Sequence, residues 1–265
     1  DEVGVAADPT GQGARDGVHQ LGHVGGGDPV YGNSDDPVRF AVSKLSHIHF
    51  CLAQEYANNL LRVGKEKFRV FVTGNPAYAN IDSVEYLSRE IVSKTLGITA
   101  TDYAVLIKHP LSSEIEDAEE QMKVTLKALG QFCQSTGFQV VCVPPNSDPG
   151  TFGMKAIIEQ EAKSNWLIVA DTLPRVEFVN CMRHTKVLVG NSSMGILEAP
   201  YYKLPVVNIG NRQKGRLNAG NVDINIKGVK PLENSSTGKA KIPVPNIVAT
   251  VIENACRLSK ISLIT

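Results

Sequence analysis

Serines at 192 and 193, a glutamate at 198 and cations at 212, 214 and 216 fall in one stretch, KVLVGNSSMGILEAPYYKLPVVNIGNRQKGRLNAGNV, from Lys186 to Val222. These residue types suit an anion. Ser192 and Ser193 can donate hydroxyl hydrogen bonds to phosphate oxygens, and a carboxylate at Glu198 can hold a ribose diol by two hydrogen bonds. The elements that must position them read directly. Val187 to Val189 is a buried strand, Gly190 to Gly195 a small-residue turn, and Ile196 to Tyr202 a short helix. Pro205 to Ile209 is a second strand, and a loop with Arg212, Lys214 and Arg216 follows. A strand feeding a Gly/Ser turn and a helix start leaves backbone N–H groups pointing at whatever lies above the strand. Arg212 then arrives at the carboxyl edge of the sheet, where ligands bind in open α/β folds. Taken singly, Ser192 caps a helix and Arg212 and Arg216 are solvated loop charges. In this order, the set favours a nucleotide or sugar phosphate.

Composition narrows the classes. The chain has 265 residues, enough for one large domain or one and a half ordinary ones. Its 27 basic and 27 acidic residues cancel, so no global field favours nucleic acid or an anionic membrane surface. No apolar run reaches membrane-spanning length, and no basic-then-apolar leader opens the chain. Cys51, Cys133, Cys142, Cys181 and Cys256 are odd in number and lack CxxC spacing, which favours reduced thiols and a cytoplasmic protein.

The remaining elements alternate. Residues 1–34 hold nine of the 23 glycines and show no strand or helix period, so they read as a poorly packed segment. Asp35 or Asp36 is a good helix N-cap, Pro37 suits the first turn, and Arg39 falls one turn beyond Asp35. By itself that is a cap with a surface ion pair. The helix leads into His47-Ile48-His49, where an HxH pair shares one strand face, but no further ligand stands at metal spacing. A helix from Gln54 to Val63 ends at Gly64, Arg69 to Pro76 is strand then turn, and Asp82 to Leu96 is helical up to Gly97. Tyr103 to Ile107 is a buried strand running into Lys108-His109-Pro110. A histidine there, fixed by proline, sits on the ligand edge or is simply solvated. Ile115 to Cys133 is a long helix, Phe138 to Val143 a strand, Thr151 to Lys163 a helix, Trp166 to Val169 a strand, and Val176 to Met182 a helix. This β-α alternation predicts a doubly wound parallel sheet. Residues 225–243 read as a polar loop and Asn246 to Leu258 as an amphipathic helix.

A resemblance joins these pieces. GNSSMGILEAP, LPVVNIGNRQKGR and NAGNV together resemble the signature of the UDP-N-acetylglucosamine 2-epimerase family, closest to its hydrolysing branch. HVGGGDPVYGNSDDPVRF, from His23, resembles a second block of that family, with its histidine, glycine pair with an acidic residue, acidic pair and arginine. The resemblance implies a two-lobed Rossmann-like architecture of the GT-B type. It makes Asp28, Asp35 and Arg39 catalytic candidates, Asp35 for acid/base work and Arg39 for positioning charge. It makes His109 a diphosphate contact and Ser192, Ser193, Gly195, Glu198 and Arg212 the grip on UDP. One departure stands out: many members carry a glutamate or histidine two places after His23, where this chain has Gly25, so the proton-transfer set is expected to be incomplete.

By the family's mechanism a base removes the C2 proton of UDP-N-acetylglucosamine while UDP leaves from C1. The glycal then takes up water, releasing N-acetylmannosamine for sialic-acid-type synthesis, or takes up UDP again in the non-hydrolysing branch. No cofactor or metal is expected, because cationic and dipolar groups can neutralise the diphosphate. The expected organisation is a remnant of the first lobe over residues 1–73, a UDP-binding lobe over 74–242 and a C-terminal helix over 243–265. The first lobe is expected to be truncated or degenerate, since the chain opens at Asp1 and residues 1–22 do not match the family's first Rossmann-like half. Expected partners are UDP and its sugar, with no nucleic acid and no membrane, and a homo-oligomer is left open. Two rival readings stay open: a UDP-sugar-binding fragment without turnover, and a glycosyltransferase of similar architecture.

Overall fold

The computed structural model describes residues 20–31 and 33–226. The helix expected at 246–258 lies outside them. The chain divides into two compact units, Asp1–Asn80 and Ile81–Thr265.

The first unit carries a three-stranded parallel sheet of β1 (Gly22–Val24), β2 (Ile48–Cys51) and β3 (Val70–Val72), in that order. Helix α1 (Asp35–Leu45) connects β1 to β2, and α2 (Gln54–Arg62) connects β2 to β3. β1 lies within the segment that the sequence pattern leaves without a strand. Three residues are too few to show a period, and the strand is defined by pairing with β2, in which His23 faces His49. The small core of this unit gathers Cys51, Tyr56, Ala57 and Leu60.

The second unit begins with α3 (Ala77–Asp82), which straddles the division, and α4 (Arg89–Leu96). The single helix expected over residues 82–96 is broken here. Asn180 accepts from the Leu87 amide at 3.0 Å and donates to the Glu85 carbonyl at 2.8 Å, and Ser88 caps α4. There follow β4 (Tyr103–Ile107), α5 (Ala118–Thr136), β5 (Gln139–Val143), α6 (Thr151–Glu161), β6 (Leu167–Val169) and α7 (Arg175–His184). β7 (Val187–Gly190), α8 (Met194–Leu197), β8 (Val206–Ile209) and β9 (Val222–Ile226) complete it. The residues just before α5 form a 3-10 turn, Ser112–Asp117, which takes up positions 115–117 of the expected helix.

All six strands are parallel, in the order β6-β5-β4-β7-β8-β9. Alternate β4 residues feed opposite cores. Ala104 and Leu106 pack with Leu126, Leu129 and Met154, while Tyr103, Val105 and Ile107 pack with Val92, Cys181 and Met182. This is the doubly wound sheet expected. β9 is an addition, because the sequence pattern makes its last residues, Asn225 and Ile226, part of a loop, and its sequence alternates apolar and polar residues at the sheet edge.

The chain reverses direction of winding between β4 and β7, and there the backbones nearly touch. Gly190 has φ +133°, and a Cβ on it would lie 2.0 Å from the Ile107 carbonyl oxygen. Gly97, the left-handed cap of α4, has open space around it. Gly190→Ala should therefore cost about 2–4 kcal/mol in urea unfolding, and Gly97→Ala only about 1 kcal/mol; equal losses would mean that Gly190 is needed for dihedral freedom alone.

Candidate functional site

In the second unit the site is built on the point where β4 and β7 leave the sheet side by side. Asn191, the residue after Gly190, is 3% exposed and turns its side chain back onto the other strand end. The His109 amide donates to Asn191 Oδ1 at 2.7 Å, and Asn191 Nδ2 donates to the His109 carbonyl at 2.8 Å. The Asn191 carbonyl in turn accepts from Gln213 Nε2 at 2.7 Å and from the Arg212 guanidinium at 3.3 Å. Arg216 donates to Gln213 Oε1 at 2.7 Å and is 7% exposed, so it is an internal strut of the loop and not a solvated charge. Asn191 thus ties His109 and Arg212, which are far apart in sequence, to one backbone position.

The turn itself departs from expectation in one respect. The helix after it is a single turn, Met194–Leu197, ending ahead of Pro200, so Glu198 is its C-cap and not a residue of its interior. A helix this short carries little macrodipole. Ser193 is the N-cap but makes no capping hydrogen bond with its side chain, and Ser192 Oγ accepts from the Met194 amide only at 3.4 Å. Both hydroxyls are half-buried. The Gly195 amide donates to the Ser192 carbonyl at 3.1 Å, and a Cβ there would meet Val206 at 2.9 Å, so its lack of a side chain lets α8 lie against β8.

Burial, with help from the Arg212 charge, pushes the His109 imidazole down to about 4, against the pull of Asp148 and Asn146. At neutral pH it is an uncharged ring that can donate one hydrogen bond and accept another. Burial raises the Glu198 carboxyl, opposed by Arg175. Lys108 is 1% exposed, and Asn191, Gln213 and Lys108 are all residues that the sequence reading passed over. Only the Gly-Asn-Ser-Ser run marked Asn191, as part of the turn.

The first unit carries the other candidates. The turn after β1 runs through Gly25 and Gly27, with φ of +79° and +82°. A Cβ on Gly27 would fall 2.1 Å from the Tyr56 carbonyl oxygen, whereas one on Gly25 would meet nothing. Asp28 is 2% exposed and pairs with the Arg39 guanidinium at 3.8 Å. Asp36 Oδ1 accepts from the Val30 amide at 2.6 Å, fastening the loop, while Asp35 is exposed at the first position of α1. The helix N-cap is Ser34, not either aspartate. His23 Nδ1 lies 2.9 Å from Ser43 Oγ, and its ring meets His49 edge-on at 6.3 Å between centroids. His49 is fully buried with neither ring nitrogen hydrogen-bonded. Among the described residues no group of three or more His, Cys, Asp or Glu side chains could hold a metal. Cys51, Cys133, Cys142 and Cys181 are free and buried. No helix among the described residues is long and apolar enough to cross a membrane.

A parallel sheet in this order, with polar and cationic groups gathered at its reversal point, defines the second unit as a Rossmann-like α/β domain. Residues 13–228 match the UDP-N-acetylglucosamine 2-epimerase family, and the chain belongs to that family. It is 32% identical over 205 residues to the GDP/UDP-N,N'-diacetylbacillosamine 2-epimerase (hydrolyzing) of Campylobacter jejuni, covering 76% of this chain and 53% of that one. It is 30% identical over 196 residues to the UDP-N-acetylglucosamine 2-epimerase of Neisseria meningitidis, covering 73% and 50%. The chain therefore spans about half the length of these curated relatives. The fold is shared with the Neisseria meningitidis UDP-GlcNAc 2-epimerase structure bound to UDP-GlcNAc (TM-score 0.59, 18% identity, 71% of this chain and 52% of that one). It is shared as well with the Methanocaldococcus jannaschii UDP-GlcNAc 2-epimerase in complex with UDP-GlcNAc and UDP (TM-score 0.57, 17% identity, 74% and 54%).

Burial, reinforced by the charges of Lys65, His23 and Arg69, lowers His49 to about 4. A histidine whose folded pKa lies below its unfolded value near 6.5 binds protons better when unfolded. Its contribution is whole above about pH 6.5 and lost as pH falls toward 4. Stability should therefore fall on acidification from neutral pH. His49→Leu should cost little at pH 8 and flatten the acid slope by up to about 1.4 kcal/mol per pH unit, read from urea midpoints; an unchanged slope would exonerate His49.

Proposed function

We propose that this chain is the nucleotide-binding part of a hydrolysing UDP-N-acetylglucosamine 2-epimerase, with the second unit gripping UDP. The observation that carries the reading is the tie from Asn191 to both His109 and Arg212, which gathers a neutral donor and a cation at the reversal point of the sheet. Arg212 and the Ser192 and Ser193 hydroxyls take the diphosphate, His109 donates to it, Gly195 shapes the turn, and Glu198 receives the ribose hydroxyls. The four free thiols support a cytoplasmic setting.

The chemistry would run as follows. A carboxylate takes the proton from C2, and the candidates are Asp35, which is exposed, and Asp28, which pairs with Arg39. The C2–H electrons become the C1–C2 double bond of a glycal, and the C1–O electron pair leaves with UDP, whose charge the Arg212 guanidinium offsets. Water then adds, its hydroxyl to C1 and a proton to C2 on the opposite face, giving N-acetylmannosamine. The names of two relatives favour a second substrate, a nucleotide-linked N,N'-diacetylbacillosamine, so both sugar nucleotides belong in the assay. A UDP-binding role without turnover is favoured by Gly25, where the open space holds no side chain.

Calorimetry with UDP, paired with a UDP-release assay on both sugar nucleotides, tests this reading. UDP should bind, Arg212→Ala should weaken it by about 1.5–3 kcal/mol, and release by the chain itself should be slow, since one absent acid or base costs about 10²–10⁴ in rate. No UDP binding would sink the proposal, and fast release would overturn the role given to Gly25. Glu198→Gln should weaken UDP while leaving inorganic pyrophosphate unaffected; equal losses would make Glu198 a support of the turn and not a ribose ligand.

A further inference from the structure

One buried cation of the second unit has no part in the reading above. Lys108 follows β4 directly, precedes His109, and is 1% exposed. Its ammonium donates to Gln121 Oε1 on α5 at 3.0 Å, a neutral amide and no ion partner. Gln121 Nε2 donates to Glu114 Oε2 at 2.9 Å, and Glu114 Oε1 accepts from Asn211 Nδ2 at 2.7 Å. Asn211 is the neighbour of Arg212. The chain of hydrogen bonds thus starts beside His109 and ends beside Arg212, through side chains from the residue after β4, the 3-10 turn, α5 and the basic loop.

A buried ammonium is costly, and it persists where a compensating charge or a function maintains it. The Glu114 carboxylate is shared with Asn211, touches Lys108 only through Gln121, and offsets its charge across that gap. The ammonium also acts on whatever binds at the sheet edge, because a low-dielectric interior screens it poorly. We propose that Lys108 is an affinity-determining cation of the diphosphate subsite, acting through space without touching the ligand and held in line with the Arg212 loop by Gln121, Glu114 and Asn211. The inference rests on the second unit binding UDP.

Two more observations agree. Burial lowers Lys108 to about 8, opposed by Glu114, so it is mainly charged at pH 7 and mainly neutral by pH 9.5. Its own charge is felt by His109, which faces Arg212 and Asp148 as well. The charged and titratable groups around Lys108 and His109 are thus Glu114, Asp148 and Arg212.

The experiment is UDP calorimetry on the whole 265-residue chain at pH 7 and pH 9.5. The proteins are the unaltered chain, Lys108→Met, Lys108→Gln and Arg212→Ala. Methionine replaces the buried cation at similar length, and glutamine keeps a donor for Gln121 without charge, so at least one variant should fold. The expected result is a UDP affinity that drops about three- to tenfold from pH 7 to 9.5 in the unaltered chain. Both lysine variants should be weaker by the same factor at pH 7 and should show a shallower pH slope, because the only part left to them is the ionisation of the uracil ring that every variant shares. Arg212→Ala should bind weakly but keep the full pH slope. Undiminished affinity in the lysine variants, or a slope as steep as that of the unaltered chain, overturns the role of Lys108 alone. Failure of the unaltered chain to bind UDP, or indifference to Arg212→Ala, overturns it together with the reading on which it rests.

Discussion

The contact on which the second unit depends is the backbone approach of Gly190 to Ile107. Two parallel strands that exit a sheet at its reversal point normally diverge, because each must turn into a helix on the opposite face. Here a residue without Cβ lets them stay within van der Waals contact for one position longer, and Asn191 uses that proximity to bind both polar groups of the His109 backbone. The geometry of the edge follows from this one approach. His109 cannot rotate away, and the Asn191 carbonyl is presented to Gln213 and Arg212 at a fixed place.

The same edge concentrates positive charge while keeping the imidazole neutral. Arg212, Arg216 and Lys108 each donate to an amide or carbonyl oxygen in the hydrogen bonds described above, which fixes where their charges lie. Carboxylates stand one step removed, as with Glu114 behind Gln121. Burying the Lys108 ammonium against a neutral amide costs stability.

Much of this was legible in the residues, and the limits are physical. The strands of the second unit are short apolar runs between glycines and helices, and the β-α alternation forces parallel pairing, so the sheet could be read. The family resemblance supplied the candidate sites. What could not be read depends on pairing at a distance. β1 and β9 gain their identity from neighbours and not from an internal period. The break between α3 and α4 is made by Asn180, nearly a hundred residues later. The role of Asn191 was hidden because asparagine in a Gly-Asn-Ser-Ser turn is ordinary turn chemistry, and only the adjacency of β4 and β7 shows what its amide reaches. Lys108 was passed over for the same reason, since its partner lies on the following helix.

The double hydrogen bond of Asn191 has an evolutionary corollary. An amide side chain offers one donor and one acceptor, and the His109 backbone requires both. Aspartate, a single nucleotide change away in the genetic code, would set an oxygen against the His109 carbonyl; serine is too short to reach both groups; alanine would strand them. Neighbouring Gly190 is equally confined by the Ile107 carbonyl. These two codons can therefore change only if the opposing strand end is rebuilt in the same step. A saturation scan of positions 190 and 191, scored for folded protein, would show a narrow pair of columns flanked by permissive ones.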